Sequence, residues 1–536
     1  MERPTNHIIR HLARSVLAAV LLTVGGPGQA ADGLAPDAID DLAQRAMTTF
    51  DVPGMAIGII RNGEVVYAKG HGLRERGRDG AVDTDTLFKI ASNSKAFTTA
   101  ALAILVDEGR IDWDGAVSDY IPEFRMSDPW VTAHLSVVDL LTHRAGLVPH
   151  AGDLLLWPDP NEFERRDVIH ALRFFPLVDP FRDSYNYDNV LYIVAGEIVP
   201  RVTGQAFEVF VDERIMKPLG MDRCFMGAIP KGEMHNLAAP HGEIEGELAV
   251  IERSRIHGEP ALYAAAGGVV CSLDDMLRWV AMQLGQGTSP DGVQVFSAAR
   301  SGEMWRPAVS WGVTPRNYEW HRTHFNGYGL GWRLSDVHGY KEVSHTGSLA
   351  GMRAWTLMLP ELDLGIVVLS NGSSSSARNA VMQTIKYAYL PAGQRDWVAV
   401  YEELDARVEL EAEVTQAAET AGFTPGVVEA RPLQNYAGLY RDAWFGDATV
   451  TVTDGVLTFA AANSPKLAGP LEHVTADTFV ARWPDRSVGM DAWLKFEFDR
   501  HGKLLRLRMN RVFDDPEATV DYFEHLDFRP VDPAQG

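Results

Sequence analysis

Apolar positions follow two different rhythms along this chain, alternating at the two ends of the first four hundred residues and recurring every three to four between them. Residues 31–52 read as an opening helix. Met55 to Ile60, then Arg61-Asn62-Gly63, then Val65 to Ala68 read as a β-hairpin, because Asn-Gly favours a type I′ turn. Ser92 to Glu108 reads as a helix with Phe97, Ala101, Ile104 and Leu105 as its buried stripe and Gly109 as its C′ stop. From about residue 110 to 300 helical patterns alternate with loops. Leu273 to Leu284 is the clearest helix there, with Ser272 as N-cap. Strand character returns at Lys341 to Ser344 and from Trp355 to Ser370, where Pro360-Glu361-Leu362-Asp363 marks a turn. A helix from Ser376 to Tyr389 closes the unit.

Strands at both ends of a region with helices between them predict an α/β (α+β) architecture. One antiparallel sheet is built from both ends of residues 31–390, with helices and an inserted all-α subdomain. Residues 391–432 are acidic, helical at first and broken by Pro425-Gly426, and read as a linker. From 433 to 536 the pattern becomes all-β. Thr449 to Thr453 and Val456 to Phe459 flank Asp454-Gly455, and Leu494 to Phe498 and Leu504 to Met509 flank a second turn, which predicts a small barrel or sandwich.

Charge and termini narrow the classes of function. The formal net charge is −23, and an acidic surface repels phosphate backbones and anionic lipid, so no nucleic-acid or membrane-surface partner is expected. Residues 1–30 read as a signal peptide: a basic stretch ends at Arg14, an apolar run covers Val16 to Val24, and Gly28-Gln29-Ala30 offers small residues for cleavage. That run is too short to span a bilayer, so no membrane span is expected in the mature form and a periplasmic or secreted location is. An oxidising compartment would allow Cys224 and Cys271 to pair, but two thiols in so long a chain read more readily as separate buried hydrophobes. His321 with His324, and His235 with His241, have metal-like spacings without an acidic or cysteine partner and read as surface histidines. No metal and no organic cofactor is expected.

The candidate chemistry lies in three short elements in fixed order: Ser92-Asn93-Ser94-Lys95, Tyr187-Asp188-Asn189 and His345-Thr346-Gly347. A serine and a lysine three apart share a helix face. An unprotonated Lys95 amine can therefore take the Ser92 proton, which implies covalent acyl transfer. Tyr187 is a second candidate base or proton shuttle, since a phenol near cations ionises more easily. Asn189 can accept from Lys95 and donate to a substrate carbonyl. His345 can hold a proton, anchor a carboxylate or protonate a leaving amine. Thr346 belongs to the same substrate-binding strand, and Gly347 would let substrate backbone approach. The N–H groups of Ser92 and Ser348 can form an oxyanion hole.

These elements, with Leu140-Leu141-Thr142-His143-Arg144-Ala145-Gly146-Leu147, Ala266-Gly267-Gly268 and Tyr328-Gly329-Leu330-Gly331-Trp332, resemble the penicillin-recognising serine hydrolases: class C β-lactamases, D,D-peptidases, D-aminopeptidases and related esterases. The resemblance covers about residues 40–390, and the β-rich tail is similar to the lipocalin-like tails of some members. It implies an exported serine hydrolase acting through a Ser92 acyl-enzyme. His345 stands where true β-lactamases carry lysine, which favours a peptidase on short linear peptides. Those peptides would include ones with D- or non-standard residues, such as linearised cyclic peptide toxins. A carboxylesterase or weak β-lactamase is the alternative. An acylatable penicillin-binding receptor without turnover is the alternative of another class. The expected partner is thus a small peptide or ester, and a homo-oligomer is compatible with the sequence. Seven aromatics between Trp305 and Trp332 mostly read as core, but such a run before His345 can also wall a cleft for a bulky apolar side chain.

Overall fold

The computed structural model describes residues 33–251, 262–422, 428–512 and 520–532; the leader and the Pro425-Gly426 break lie outside them. In chain order, α1 (Pro36–Thr49) leads into the hairpin of β1 (Gly54–Arg61) and β2 (Glu64–Gly72). Asn62 and Gly63 turn it at φ 53° and 76°, as a type I′ turn requires. Helices α2 (Ser94–Asp107), α3 (Val190–Thr203) and α4 (Leu273–Leu284) belong to the middle of the chain. The sheet then resumes with β3 (Val309–Trp311), β4 (Asn326–Tyr328), β5 (Arg333–Val337), β6 (Tyr340–Leu349), β7 (Met352–Leu359) and β8 (Leu364–Ser370). α5 (Ser375–Tyr387) and α6 (Trp397–Gly422) follow.

The eight strands run in the order β2-β1-β8-β7-β6-β5-β4-β3, each antiparallel to its neighbours, so both ends of the region meet where β1 pairs with β8. Period-two alternation explains why two helical layers cover this sheet. Ile57, Ile59, Leu364, Ile366 and Val368 face one core with α1, α5 and the buried Trp397 and Val398 at the start of α6. Ala56, Ile60, Val367 and Leu369 face the other core, with α2 and α4. On that face Gly58 and Gly365 admit α4: a Cβ there would lie 2.8 Å from Leu277 and 2.3 Å from Val280. Ser272 caps α4 as expected, accepting the Asp275 N–H at 3.2 Å.

The insert is mostly helical but not wholly so. A three-stranded patch joins Phe88–Lys89, Val269–Cys271 and Cys224–Met226. It sets Cys224 directly opposite Cys271 with Cα atoms 4.1 Å apart, and the two are disulfide-bonded rather than separate. Strand register, which sequence separation hides, makes this pair.

The tail is an eight-stranded antiparallel meander of β9 (Gly438–Asp442), β10 (Gly446–Thr453), β11 (Val456–Ala461), β12 (Ala468–Thr475), β13 (Thr478–Ala481), β14 (Ala492–Phe498), β15 (Leu504–Arg511) and β16 (Arg529–Pro530). β16 pairs with β9, and the adjoining Phe528 exchanges two backbone hydrogen bonds with Leu507 of β15, which nearly closes a barrel and covers its edges. The barrel rests on the insert through Phe445 against Phe163 and Trp444 against Phe175, with ring centroids 5.3 and 5.0 Å apart. A backbone hydrogen bond from Glu162 to Asn463 adds to the contact. Among the described residues no helix is long and apolar enough to cross a membrane.

Candidate active site

Ser92 does not open α2, as its sequence context suggested. It lies in a single 3₁₀ turn, Ala91–Asn93, just before it. Ala91 is held at φ 48°, a left-handed conformation that costs a non-glycine residue energy and must be over-determined by its surroundings. Ser94 supplies part of that restraint, donating to Ala91 O at 2.6 Å and accepting from Val269 N at 2.9 Å, while Asn93 donates to Ile90 O at 3.1 Å. The turn aims Ser92 into the cleft, and Lys95 follows on the same side in the first turn of α2.

Lys95 is fully buried, and its Nζ has three neighbours: Asn189 Oδ1 at 2.7 Å, Ala266 O at 2.8 Å and Ser92 Oγ at 3.3 Å. A neutral amine has two hydrogens and one lone pair. The two carbonyl oxygens can only accept, so they take the hydrogens and the lone pair is left for Ser92. Burial is what makes the amine neutral. It pushes Lys95 down to about 7, helped by Arg333 and opposed by Asp153 and Asp188. Tyr187 donates to Ser92 Oγ from the other side at 2.7 Å. Desolvation raises its phenol despite the nearby cations, so Tyr187 is a neutral donor and not the ionised base that its sequence neighbours suggested.

Asn189 accepts from Lys95 through its oxygen as expected. One Nδ2 hydrogen goes to Asp153 Oδ2 at 2.7 Å, which leaves the amide's second N–H for a substrate carbonyl, and Asn189 lines the cleft. Asp153, 1 % exposed, also takes His150 Nδ1 at 2.8 Å. It fixes which way the Asn189 amide points. Sequence reasoning missed it, since an acidic residue opening a short 3₁₀ turn has no motif. Asp153→Ala is expected to lower kcat about 10–100-fold, the equivalent of 1–3 kcal/mol for a buried polar group left unpaired. Because Asp153 holds the Lys95 pKa up, the same variant should move the acid limb of the pH–rate profile to lower pH, read from kcat/KM against pH.

His345 is 1 % exposed on β6. Its Nδ1 lies 2.7 Å from Thr346 O, which only accepts, so the proton sits on Nδ1 and Nε2 accepts from Tyr328 OH at 2.9 Å. Burial, with Arg333 and Lys95 nearby, keeps the ring neutral. His345 therefore braces Tyr328 and is not placed as a cation or a free proton donor. Thr346 and Ser348 alternate toward the cleft. Gly347 serves the chain itself: a Cβ there would meet Ile90 O at 2.1 Å, so its absence lets β6 press against the turn that carries Ser92.

The motifs outside the trio form the surrounding layer. His143 packs against Tyr187 at 4.3 Å and accepts from Asp188 N at 3.0 Å. Ala266 supplies the Lys95 acceptor and Tyr328 meets His345. Arg333, at the start of β5, lines the cleft with its guanidinium 5.9 Å from the Tyr187 ring and makes no ion pair among the described residues. None of the seven aromatics from Trp305 to Trp332 lines the cleft. Trp305, Tyr328 and Trp332 are buried, because Gly331 lets their segment pack on α2 beside Thr99. Of the four spaced histidines, His241 is fully buried between Arg76 N and Asn371 O and His321 is part-buried on Tyr387, whereas His235 and His324 are exposed.

Residues 39–388 match the family described as Beta-lactamase, and residues 424–530 match a domain of unknown function, DUF3471. The chain is similar to "Unguisins hydrolase ungD" of Aspergillus violaceofuscus, 27% identical over 81% of each chain. It is 26% identical to "Penicillin-binding protein 4" of Amycolatopsis lactamdurans over 62% of this chain and 84% of that one. Its fold is shared with the octameric penicillin-binding protein homologue from Pyrococcus abyssi, with a TM-score of 0.58, 21% identity and coverage of 92% of this chain and 100% of that one.

Proposed function

The chain belongs to the Beta-lactamase family, and from that premise we propose that it is an exported serine peptidase acting on short linear peptides through a Ser92 acyl-enzyme. One observation carries the mechanism: Ser92 Oγ lies between a Tyr187 donor and the spare lone pair of Lys95. Ser92 Oγ attacks the scissile carbonyl carbon as its proton passes to Lys95 Nζ. The backbone N–H groups of Ser92 and Ser348 receive the developing oxyanion. The C–N bond then breaks as the leaving amine takes the proton held by the Lys95 ammonium. Water repeats the sequence on the acyl group and releases a carboxylic acid and free Ser92.

Two features favour peptides over esters. β5 pairs only with Tyr340 to Ser344 of β6, so His345 to Leu349 keep an uncovered side along the cleft. An extended peptide can add there as a strand. Arg333, a cation on the same cleft without an ion pair among the described residues, suits a substrate carboxylate. The hydrolase name of one relative supports turnover over a stalled acyl-enzyme. The Cys224–Cys271 disulfide suits an oxidising compartment, and the octameric neighbour supports a homo-oligomer.

The test is a competition of mixed linear peptides, including linearised cyclic ones and D-residue variants, against 4-nitrophenyl esters and a chromogenic cephalosporin. Peptides are expected to show the highest kcat/KM. If every peptide falls far below the esters, the esterase alternative stands. Stable labelling by a fluorescent penicillin without any turnover would point to the receptor.

A further inference from the structure

The cleft beside Ser92 has a volume of about 1510 Å³ and is lined by both folded units. Its aromatic wall is not the run before His345 but a set drawn from the insert and the barrel. Trp157 and Tyr263 stand with ring centroids 4.8 Å apart. Both are tied to the catalytic groups, since Trp157 N donates to Asp153 O at 3.0 Å and Tyr263 O accepts from Ala266 N at 2.9 Å. Leu156 lines the cleft beside them. From the barrel come Val488, Met490 and Tyr522, the last edge-on to His150 at 6.3 Å.

We propose that Leu156, Trp157, Tyr263, Val488, Met490 and Tyr522 form an apolar subsite, shared between the two units, that takes a bulky apolar side chain on the acyl side of the scissile bond. The proposal rests on the serine-hydrolase reading and adds the substrate class. These six residues belong to or pack on the apolar core that joins the two units, and they line the cleft as well. The Phe163–Phe445 and Phe175–Trp444 contacts already hold the barrel, and none of those four lines the cleft. Tyr522 in particular makes no hydrogen bond among the described residues and turns a ring toward the cavity. A part-buried aromatic without a polar role exposes apolar surface that a substrate side chain can cover. Arg333 lies on the same cleft, so the preferred substrate combines an apolar side chain with a nearby carboxylate.

The experiment uses the full chain with two substrates, 4-nitrophenyl acetate and the 4-nitrophenyl ester of N-acetylphenylalanine. Tyr522→Ala is expected to lower kcat/KM for the phenylalanine ester about ten-fold and to leave the acetate within about two-fold. Tyr522→Phe should retain both, because the hydroxyl has no partner. Val488→Asp, which puts a charge in the same wall, should shift the ratio in the same direction and covers the case in which Tyr522→Ala fails to fold. An active enzyme, labelled at Ser92 by a fluorophosphonate, whose ratio is unmoved by Tyr522→Ala and Val488→Asp overturns the subsite alone. A wild-type chain that is neither labelled nor active on the acetate overturns the hydrolase reading and the subsite with it.

Discussion

Ser92→Ala is expected to lower kcat/KM for any substrate by about 10⁴-fold or more while leaving the fold in place. The size follows from the mechanism. Without Oγ no acyl-enzyme forms, and what remains is binding and oxyanion stabilisation acting on water, a residue of activity that such enzymes keep when the nucleophile is lost. The fold survives because, among the described residues, the Ser92 side chain bonds only Tyr187 and Lys95. The Ala91–Asn93 turn is held by Ser94 and Asn93 instead. Steady-state kinetics, with a thermal melt as the control, check this, and fluorophosphonate labelling should vanish in step. A variant that keeps more than a few per cent of the wild-type rate after contaminants are excluded would remove Ser92 from the mechanism.

Much of this arrangement was legible in the sequence because it is local. The hairpin turn at Asn62-Gly63, the Ser272 cap and the alternation of β1 and β8 each depend on neighbours in the chain, and the structure has them where the pattern put them. The ordered elements Ser92 to Lys95, Tyr187 to Asn189 and His345 to Gly347 also come together in space. What the sequence misassigned are properties of burial and long-range packing. The Tyr187 phenol sits near cations, yet desolvation outweighs them and holds it neutral. Gly347 also has to admit Ile90, which only the approach of β6 to the Ser92 turn reveals. Asp153 and Arg333 carry no motif, and the site residues they meet, Asn189 and Tyr187, lie tens of residues or more away. The cleft's aromatic wall comes partly from Tyr522, more than four hundred residues after Ser92.

The second large effect is on Lys95 and its dependence on pH. The folded pKa is about 7, below the 10.5 of a free lysine, and the base works only when neutral. Activity should therefore rise with pH through about 7. Two units below that, kcat/KM should stand about 100-fold under its plateau, as expected for a single deprotonation in the free enzyme. An exposed lysine would instead keep the limb near 10. Lys95→Met should remove about 10³-fold or more of the rate at every pH and abolish the limb, since among the described residues the remaining side chain on Ser92 is Tyr187, a phenol that burial keeps neutral. Stability carries the same signature with its own sign. A lysine whose pKa is lowered by folding costs the folded state most below about 7, and the cost fades as pH rises toward 10.5. The Tm of Lys95→Met relative to wild type should accordingly be higher at pH 6 than at pH 10. A pH–rate limb that stays near 7 in Lys95→Met, or a Tm difference that does not change with pH, would move the base to another residue.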